Sequence, residues 1–349
     1  MSRLRPDDAD ARFVRRVLIV MAIAAVLWAL FRAGDMLILA FGSSLGAIAI
    51  HAIAEGYENR LHLPEKPALG AAMITAVAIV AFLFWLFGVQ FAPQINLLVD
   101  RAPGLIDDLA RWLSQSPIGA KLVSAVQAAY AGSKAAQDVS GLLQGAGTLL
   151  LNIILLIVGA LFFAANPGIY TRGLLLLVPR PQRPAFADAL DDVSNTLRLW
   201  LRTQLILMTT MGVLVGLGLW IAGVPSPAAL GLLAGLSEFV PYIGPTAAML
   251  PALGLAATVS PHAVIGALAT YAVVRLIQTN FITPFVQHRV IDIPPAVTLF
   301  SIIGIGIVFG LYALFFSAAM LVVIFTLVRT LYLREMVGEP VDPPGDHGA

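Results

Sequence analysis

Residues 225–261 read PSPAALGLLAGLSEFVPYIGPTAAMLPALGLAATVSP, an apolar run that six prolines interrupt. A proline inside a helix removes a main-chain hydrogen bond and clashes with the preceding turn, so one straight helix cannot extend through this run. The pieces 228–237 and 246–259 are each shorter than the about 20 residues that cross a bilayer. We therefore predict a hairpin of two half-helices over residues 225–259, with residues 238–245 at its tip.

The same pattern recurs after one uninterrupted apolar helix, predicted over residues 262–280. PSPAALG at 225–231 is echoed by IPPAVTL at 293–299, and Gly310 then divides the pieces 296–309 and 311–328. This predicts a second broken hairpin over residues 294–330. Interrupted segments at matching positions in two halves are typical of a transporter's binding site, because freed main-chain groups need protein, water or substrate as partners. The alternative is that the prolines only kink buried helices.

The whole chain has the composition of a membrane protein. Of its 349 residues, 59% are hydrophobic and 12% charged, against about 25% charged in soluble domains, which excludes a soluble enzyme. A net charge of +1 excludes a nucleic-acid partner. The chain has no cysteine and no metalloprotease, Walker A or Rossmann motif, so we expect no metal and no cofactor. The expected partners are membrane lipid and a small-molecule solute.

Hydropathy predicts an all-α polytopic membrane protein with about eight membrane segments. Residues 1–90 carry three spans (17–31, 36–54 and 68–90), and residues 91–145 regain charges at helical spacing, which favours an extramembrane amphipathic helical insert. Residues 146–337 form the transport core, in which 148–165 and 204–222 span and a surface helix from about Pro184 leads into the latter. Residues 338–349 are rich in Pro and Gly and are expected to be disordered.

Basic residues near the ends of the spans predict the orientation. Five arginines precede the first span, and five more, at positions 172, 180, 183, 198 and 202, follow the fourth. The positive-inside rule places both groups in the cytoplasm, with residues 91–145 outside. Arg329 and Arg334 place the C-terminus inside as well.

Glu238 and Arg275 are isolated charges within the core. Glu238 is the only acidic residue between Asp192 and Asp292, and a carboxylate in hydrocarbon costs about 2.5–3.5 kcal/mol. It could bind substrate or a proton, pair with Arg275 or a helix N-terminus, or lie at the interface. Arg275 could instead snorkel to the headgroups. We expect Gln278 and Asn280 to share a polar patch with Arg275, before Thr283 and Pro284 end that helix.

One pattern imitates an enzyme. Gly42-Ser43-Ser44-Leu45-Gly46 matches the G-x-S-x-G motif of serine hydrolases, and His51 follows. No strand precedes the motif, which lies in an apolar helix where small residues permit close packing. We expect the small residues of this motif, like Gly231 and Gly235, to allow close helix packing, and we expect no catalytic activity.

The segment EFVPYIGP at 238–245 resembles the signature of the autoinducer-2 exporter family, in which an acidic residue precedes Pro, an aromatic residue and Gly-Pro. LRTQ at 201–204, GVP at 223–225, TP at 283–284 and DIPP at 292–295 also match, and the resemblance covers nearly the whole chain. The family often has Glu-Gly-Asn where this chain has Gln278-Thr279-Asn280. It also commonly has a second Gly and a Pro where this chain has Ala313 and Ala319.

The resemblance implies a permease-like bacterial inner-membrane protein that exports a small hydrophilic solute, such as autoinducer-2, as a homo-oligomer. Together with the analysis of the residues themselves, it leads us to expect a transport pathway formed by Glu238, Pro241, Tyr242, Gly244, Pro245, Arg275, Gln278, Asn280, Pro284 and Gly310. Half-helix ends would bind polar groups, Glu238 would supply charge, and rocking about Gly244 and Gly310 would alternate access. One alternative is a sodium/proton antiporter of the same family, which a neutral Gln278 disfavours. Another is a scaffold that binds envelope partners through residues 91–145.

Overall fold

The described part of the chain is all α-helical, with no strand among its residues. The computed structural model describes residues 32–86, 139–283 and 293–338, together with 13, 15–21, 24, 25, 28, 89 and 285. The helices, in chain order, are α1 Gly34–Leu61, α2 Glu65–Leu86, α3 Val139–Ala165, α4 Pro167–Leu176, α5 Arg183–Ile221, α6 Pro227–Ser237, α7 Ile243–Ala257, α8 Pro261–Ile277, α9 Pro295–Phe309 and α10 Leu311–Leu327. Helix α8 continues as a π-helix over Gln278–Ile282, and α10 continues likewise over Val328–Val337.

Five of the described helices are long and apolar enough to cross a membrane, or six if the bent pair α3–α4 counts as one span. Helices α6, α7 and α9 are shorter apolar helices, as expected for half-helices. The prediction of an all-α multi-pass membrane protein is confirmed. The predicted surface helix before residue 204 is part of α5, which runs for 39 residues without interruption.

Several predictions fall wholly or mainly outside the described residues. These are the extramembrane insert over 91–145 and the tail after residue 338. Of the first span over 17–31, residues 17–21, 24, 25 and 28 are described, and they are helical. Helix α3 already includes Val139, ahead of the predicted start at Thr148.

The first predicted hairpin is present, and its two arms are α6 and α7, joined by residues 238–242. Helix α6 packs against α5 with the two backbones in contact. A Cβ added to Gly231 would lie 2.5 Å from the carbonyl oxygen of Gly212, and one on Gly235 would lie 2.6 Å from that of Met208. The predicted packing role of these two glycines is confirmed, and it brings the end of α6 beside Gln204 of α5.

The second hairpin consists of α9 and α10, with the break at Gly310, whose φ of +83° favours glycine. The far end of α10 lies along the N-terminal half of α5, where Thr330 Oγ1 donates to Asp192 Oδ2 at 2.9 Å. Arg334 donates to the same oxygen at 3.2 Å. Helix α6 contacts α5 around Met208, Gly212 and Gly216, so the two hairpins contact this helix over different stretches.

Helices α1 and α3 pack closely through the stretch that imitates a hydrolase motif. Ser43 Oγ donates to the carbonyl oxygen of Leu156 at 3.2 Å, and a Cβ on Gly46 would lie 2.8 Å from Ala160 Cβ. His51 Nε2 bonds to the carbonyl oxygen of Ala164 at 3.1 Å. Serine and histidine each contact α3 main chain, so helix packing accounts for both.

Candidate functional site

The tip of the first hairpin is a tight, strained turn. Ile243 N–H donates to the carbonyl oxygen of Pro241 at 2.8 Å, which closes a γ-turn around Tyr242. Tyr242 has φ 66° and ψ −52°, the less stable of the two γ-turn conformations. A non-glycine residue in such a region persists only when its surroundings enforce it, and such strain concentrates at functional sites.

Gly244 allows the turn to close because it has no side chain. A Cβ at this position would lie 1.7 Å from the carbonyl oxygen of Ser237, so the two arms of the hairpin meet there with no room for a side chain. Gly244 and Pro245 are both buried. This close contact holds the two arms together at Gly244, and the rocking about this residue stays a prediction.

Glu238 ends α6 and turns its carboxylate into the protein, with 6% of the residue exposed. Its Oε1 accepts a hydrogen bond from Arg275 Nη1 of α8 at 3.3 Å. Its Oε2 is buried and has no hydrogen-bond partner among the described residues. The sequence left open whether Glu238 pairs with Arg275, and the structure shows that it does.

Gln278 lies beside this carboxylate. Its side chain interacts with Glu238, and only 2% of the residue is exposed. Neither Nε2 nor Oε1 has a partner of normal geometry within the described ranges. The α-helical part of α8 ends immediately before Gln278, where the π-helix begins. Single π-turns inside helices are frequent at functional sites, since they redirect side chains.

Arg275 connects this buried group to the surface. Its side chain is 38% exposed, and its guanidinium carbon lies 5.8 Å from the centroid of the Tyr242 ring. That distance is within the range of a cation–π contact. Tyr242 is itself 40% exposed. Arg275 and Tyr242 therefore lie between the buried Glu238–Gln278 pair and the outside of the chain.

Not every predicted pathway residue joins this cluster. Asn280 is exposed and donates to the carbonyl oxygen of Leu276 at 2.9 Å, so the predicted patch with Arg275 does not include it. Gly310 is exposed and follows Phe309, whose ring packs at Gly34 at the start of α1. Pro241 lies in the turn itself, and Pro284 is outside the described residues.

Two features were not predicted from the sequence. Gln204 of α5 donates from Nε2 to the carbonyl oxygen of Glu238 at 2.6 Å, which fixes the end of α6. Phe239 stacks on Phe315 of α10, with ring centroids 4.4 Å apart, and meets Trp200 edge-on at 5.5 Å. The first hairpin's tip therefore contacts the second hairpin through aromatic rings.

An apolar cavity of about 360 Å³ adjoins this contact. It lies between α1, α3, the hairpin tip and α10, and Leu39, Leu156, Val240 and Phe315 are among its lining residues. Val240 is two residues from Glu238, so the tip separates a buried polar cluster from an apolar space.

Comparison with known proteins points to one group. The model of the family described as "AI-2E family transporter" matches residues 17–333. Three similar proteins come from Bacillus subtilis (strain 168). "Putative transport protein YrrI" is 31% identical over 135 residues, which are 39% of this chain and 38% of the relative. "Putative transport protein YueF" is 24% identical over 207 residues, which are 57% of this chain and 56% of the relative. "Putative transport protein YtvI" is 27% identical over 179 residues, which are 51% of this chain and 48% of the relative. Each match therefore spans less than two thirds of the relative's length.

Proposed function

Since the chain belongs to the AI-2E transporter family, we propose that this multi-pass membrane transporter exports a small hydrophilic solute, such as an autoinducer-2-like signal. The proposed membrane is the bacterial inner membrane, with both termini in the cytoplasm and the chain acting as a homo-oligomer. The arginine distribution supports this orientation. The proposed solute pathway passes the Glu238 cluster.

The observation that carries the pathway proposal is a group of three unpartnered polar atoms. Glu238 Oε2, Gln278 Nε2 and Gln278 Oε1 are all buried and make no hydrogen bond of normal geometry with a described residue, although the Gln278 amide interacts with the Glu238 carboxylate. Leaving such atoms unsatisfied costs about 1–3 kcal/mol each, so native structures rarely retain them without a reason. A solute or water that hydrogen-bonds to them would remove this cost.

The chemistry of these atoms suits a neutral hydroxylated solute. A carboxylate oxygen accepts hydrogen bonds, and the Gln278 amide both donates and accepts. A hydroxyl group can donate to Glu238 and accept from Gln278 at the same time. Arg275 already neutralises the carboxylate, so no net charge in the solute is required.

The antiporter alternative makes a different use of the same residues. Gln278 cannot exchange a proton near neutral pH, so Glu238 would have to couple ions alone, while paired with Arg275. Solute export and sodium/proton antiport are distinguished by adding sodium to vesicles that are loaded with a pH dye. A sodium-dependent pH change without solute would favour antiport.

The pathway proposal is tested by solute flux in proteoliposomes, with Gln278→Ala and Asn280→Ala as a matched pair. Both side chains are amides in the same π-turn, but Gln278 is buried and makes no hydrogen bond of normal geometry with a described residue, whereas Asn280 is exposed. Glu238→Gln and Gln278→Ala should each lower flux by about tenfold, as expected for one lost hydrogen bond to the solute. Asn280→Ala should transport normally. Equal flux in all variants, with the protein folded, would refute the assignment.

A further inference from the structure

Helix α4 turns sharply away from the helix that precedes it. The axes of α3 and α4 differ by 88° across a break at Asn166. Tyr170 of α4 packs edge-on against Phe163 of α3, with ring centroids 4.4 Å apart, which supports the bend. Because α3 is apolar and of membrane-spanning character, a helix at a right angle to its end lies along the membrane surface.

The exposed side chains of α4 and the following turn are mainly apolar. No residue of α4 is buried in the described structure. Ile169 is 67% exposed, Leu176 70% and Leu177 82%. Such side chains are favoured in the boundary between headgroups and acyl chains, where a surface helix buries its apolar atoms to a depth of about 5–10 Å.

Positive charge accompanies these apolar side chains. Residues 166–183 contain Arg172, Arg180 and Arg183 and no acidic residue. Arg183 Nε donates to the carbonyl oxygen of Val178 at 3.0 Å, which holds the turn before α5. Arg172 and Arg180 are exposed and form no ion pair with another described residue. Their guanidinium groups are therefore available to an external anion.

We propose that α4 and the turn over residues 177–183 form a binding surface for the headgroups of anionic phospholipids. Exposed leucines and isoleucine insert beside the acyl chains, while Arg172 and Arg180 contact phosphate oxygens at the level of the headgroups. Guanidinium groups suit this contact because they can donate two parallel hydrogen bonds to a phosphate. The surface is separate from the Glu238 cluster, and it would meet headgroups in either orientation of the chain.

The test is native mass spectrometry of the full chain released from nanodiscs that contain equal amounts of phosphatidylglycerol and phosphatidylcholine. The ratio of the two retained lipids is measured for the parent protein and for Arg172→Gln/Arg180→Gln. Arg183 is left in place because it holds the turn. Each basic residue near a membrane surface contributes roughly a fivefold preference for anionic lipid, so the ratio should fall by up to about 25-fold.

The control is Arg60→Gln/Lys66→Gln, which removes the same charge from the α1–α2 connection. There, Glu58 and Glu65 balance the two basic residues, so the lipid ratio should stay near that of the parent. An equal fall in both variants, or no fall in either, would overturn the proposal. So would a change in subunit number with lipid retention intact, which would identify α4 as a contact between copies of the chain. Unchanged helicity by circular dichroism verifies folding.

Discussion

Gln204 donates from its side-chain amide to the main-chain oxygen of Glu238 at 2.6 Å, although the two residues are 34 positions apart. This bond links α5 to the end of α6 inside the protein, where Gln204 is 5% exposed. A helix leaves its last carbonyl groups without partners in the helix itself, and Gln204 supplies one. The position of the Glu238 carboxylate therefore depends on a residue of another helix.

Replacing Gln204 with leucine should destabilise the hairpin. The variant keeps similar volume but removes the donor, and a buried carbonyl that loses its partner costs about 1–3 kcal/mol. The free energy of unfolding in detergent micelles, measured by denaturant titration, should fall by that amount. Thr209→Val is the control, since Thr209 is exposed and, among the described residues, bonds to Leu205 of its own helix. It should change the free energy of unfolding by less than about 0.5 kcal/mol. Equal stability of both variants would contradict this role.

The sequence predicted both broken hairpins because proline and glycine act locally. Pro241 and Gly310 lie at the observed breaks, at residues 238–242 and at Gly310, whereas Pro251 lies inside α7 without ending it. Gln204 could not be identified as a positioning residue because its partner is a main-chain oxygen, which every residue has. Tertiary hydrogen bonds to the main chain leave no pattern in a single sequence.

The prediction for Asn280 was wrong for a geometric reason. Residues three or four apart lie on one face of a helix, so Gln278 can follow Arg275 to the same side. Asn280 is five residues after Arg275, which on an α-helix is about 140° around the axis. In the structure it faces outward and bonds to Leu276. The change to π-helix at Gln278 was also not visible in the sequence, since no residue type marks it.

Removing the charge of Glu238 and removing that of Arg275 should lower the free energy of unfolding by different amounts. Glu238 has an 8% exposed side chain, whereas that of Arg275 is 38% exposed. Arg275→Gln leaves a buried carboxylate without its counter-charge and should cost about 3 kcal/mol. Glu238→Gln leaves a guanidinium that water can reach, and should cost less.

A double-mutant cycle measures this coupling directly. Glu238→Gln/Arg275→Gln should recover at least about 1 kcal/mol of the summed single losses, because neither charge is then left alone. The measurement is again the free energy of unfolding in micelles. Strictly additive losses would show that the 3.3 Å contact contributes nothing to the folded state.

Gly244→Ala should be among the most damaging single substitutions in the hairpin. The new Cβ would meet the carbonyl oxygen of Ser237 at 1.7 Å, so the arms must separate. Overpacking of this kind costs about 1–3 kcal/mol, and main-chain atoms cannot move aside as a side chain can. Thermal unfolding should shift to lower temperature, and flux should fall with it.

Gly304→Ala is the matched control for this substitution. Gly304 lies within α9, and apart from the adjacent backbone of its own helix no described atom lies within 4 Å of the position of its Cβ. Alanine has a higher helix propensity than glycine, so this variant should be as stable as the parent or slightly more stable. If both alanine variants behaved alike, the close contact at Ser237 would not explain the glycine.

The stacking of Phe239 on Phe315 should couple the two hairpins energetically. The rings are nearly parallel, with an interplanar angle of 17° and centroids 4.4 Å apart. Aromatic pairs contribute about 0.5–1.5 kcal/mol beyond the area that they bury. In a cycle of Phe239→Leu and Phe315→Leu, the double variant should be more stable than the sum of the single losses by that amount. Phe300→Leu replaces a ring that is 73% exposed, and paired with Phe239→Leu it should give no coupling. If the hairpins move relative to each other during transport, the Phe239 and Phe315 variants should also change solute flux, while Phe300→Leu should not. A coupling energy near zero would contradict a stabilising role for the contact between the two rings.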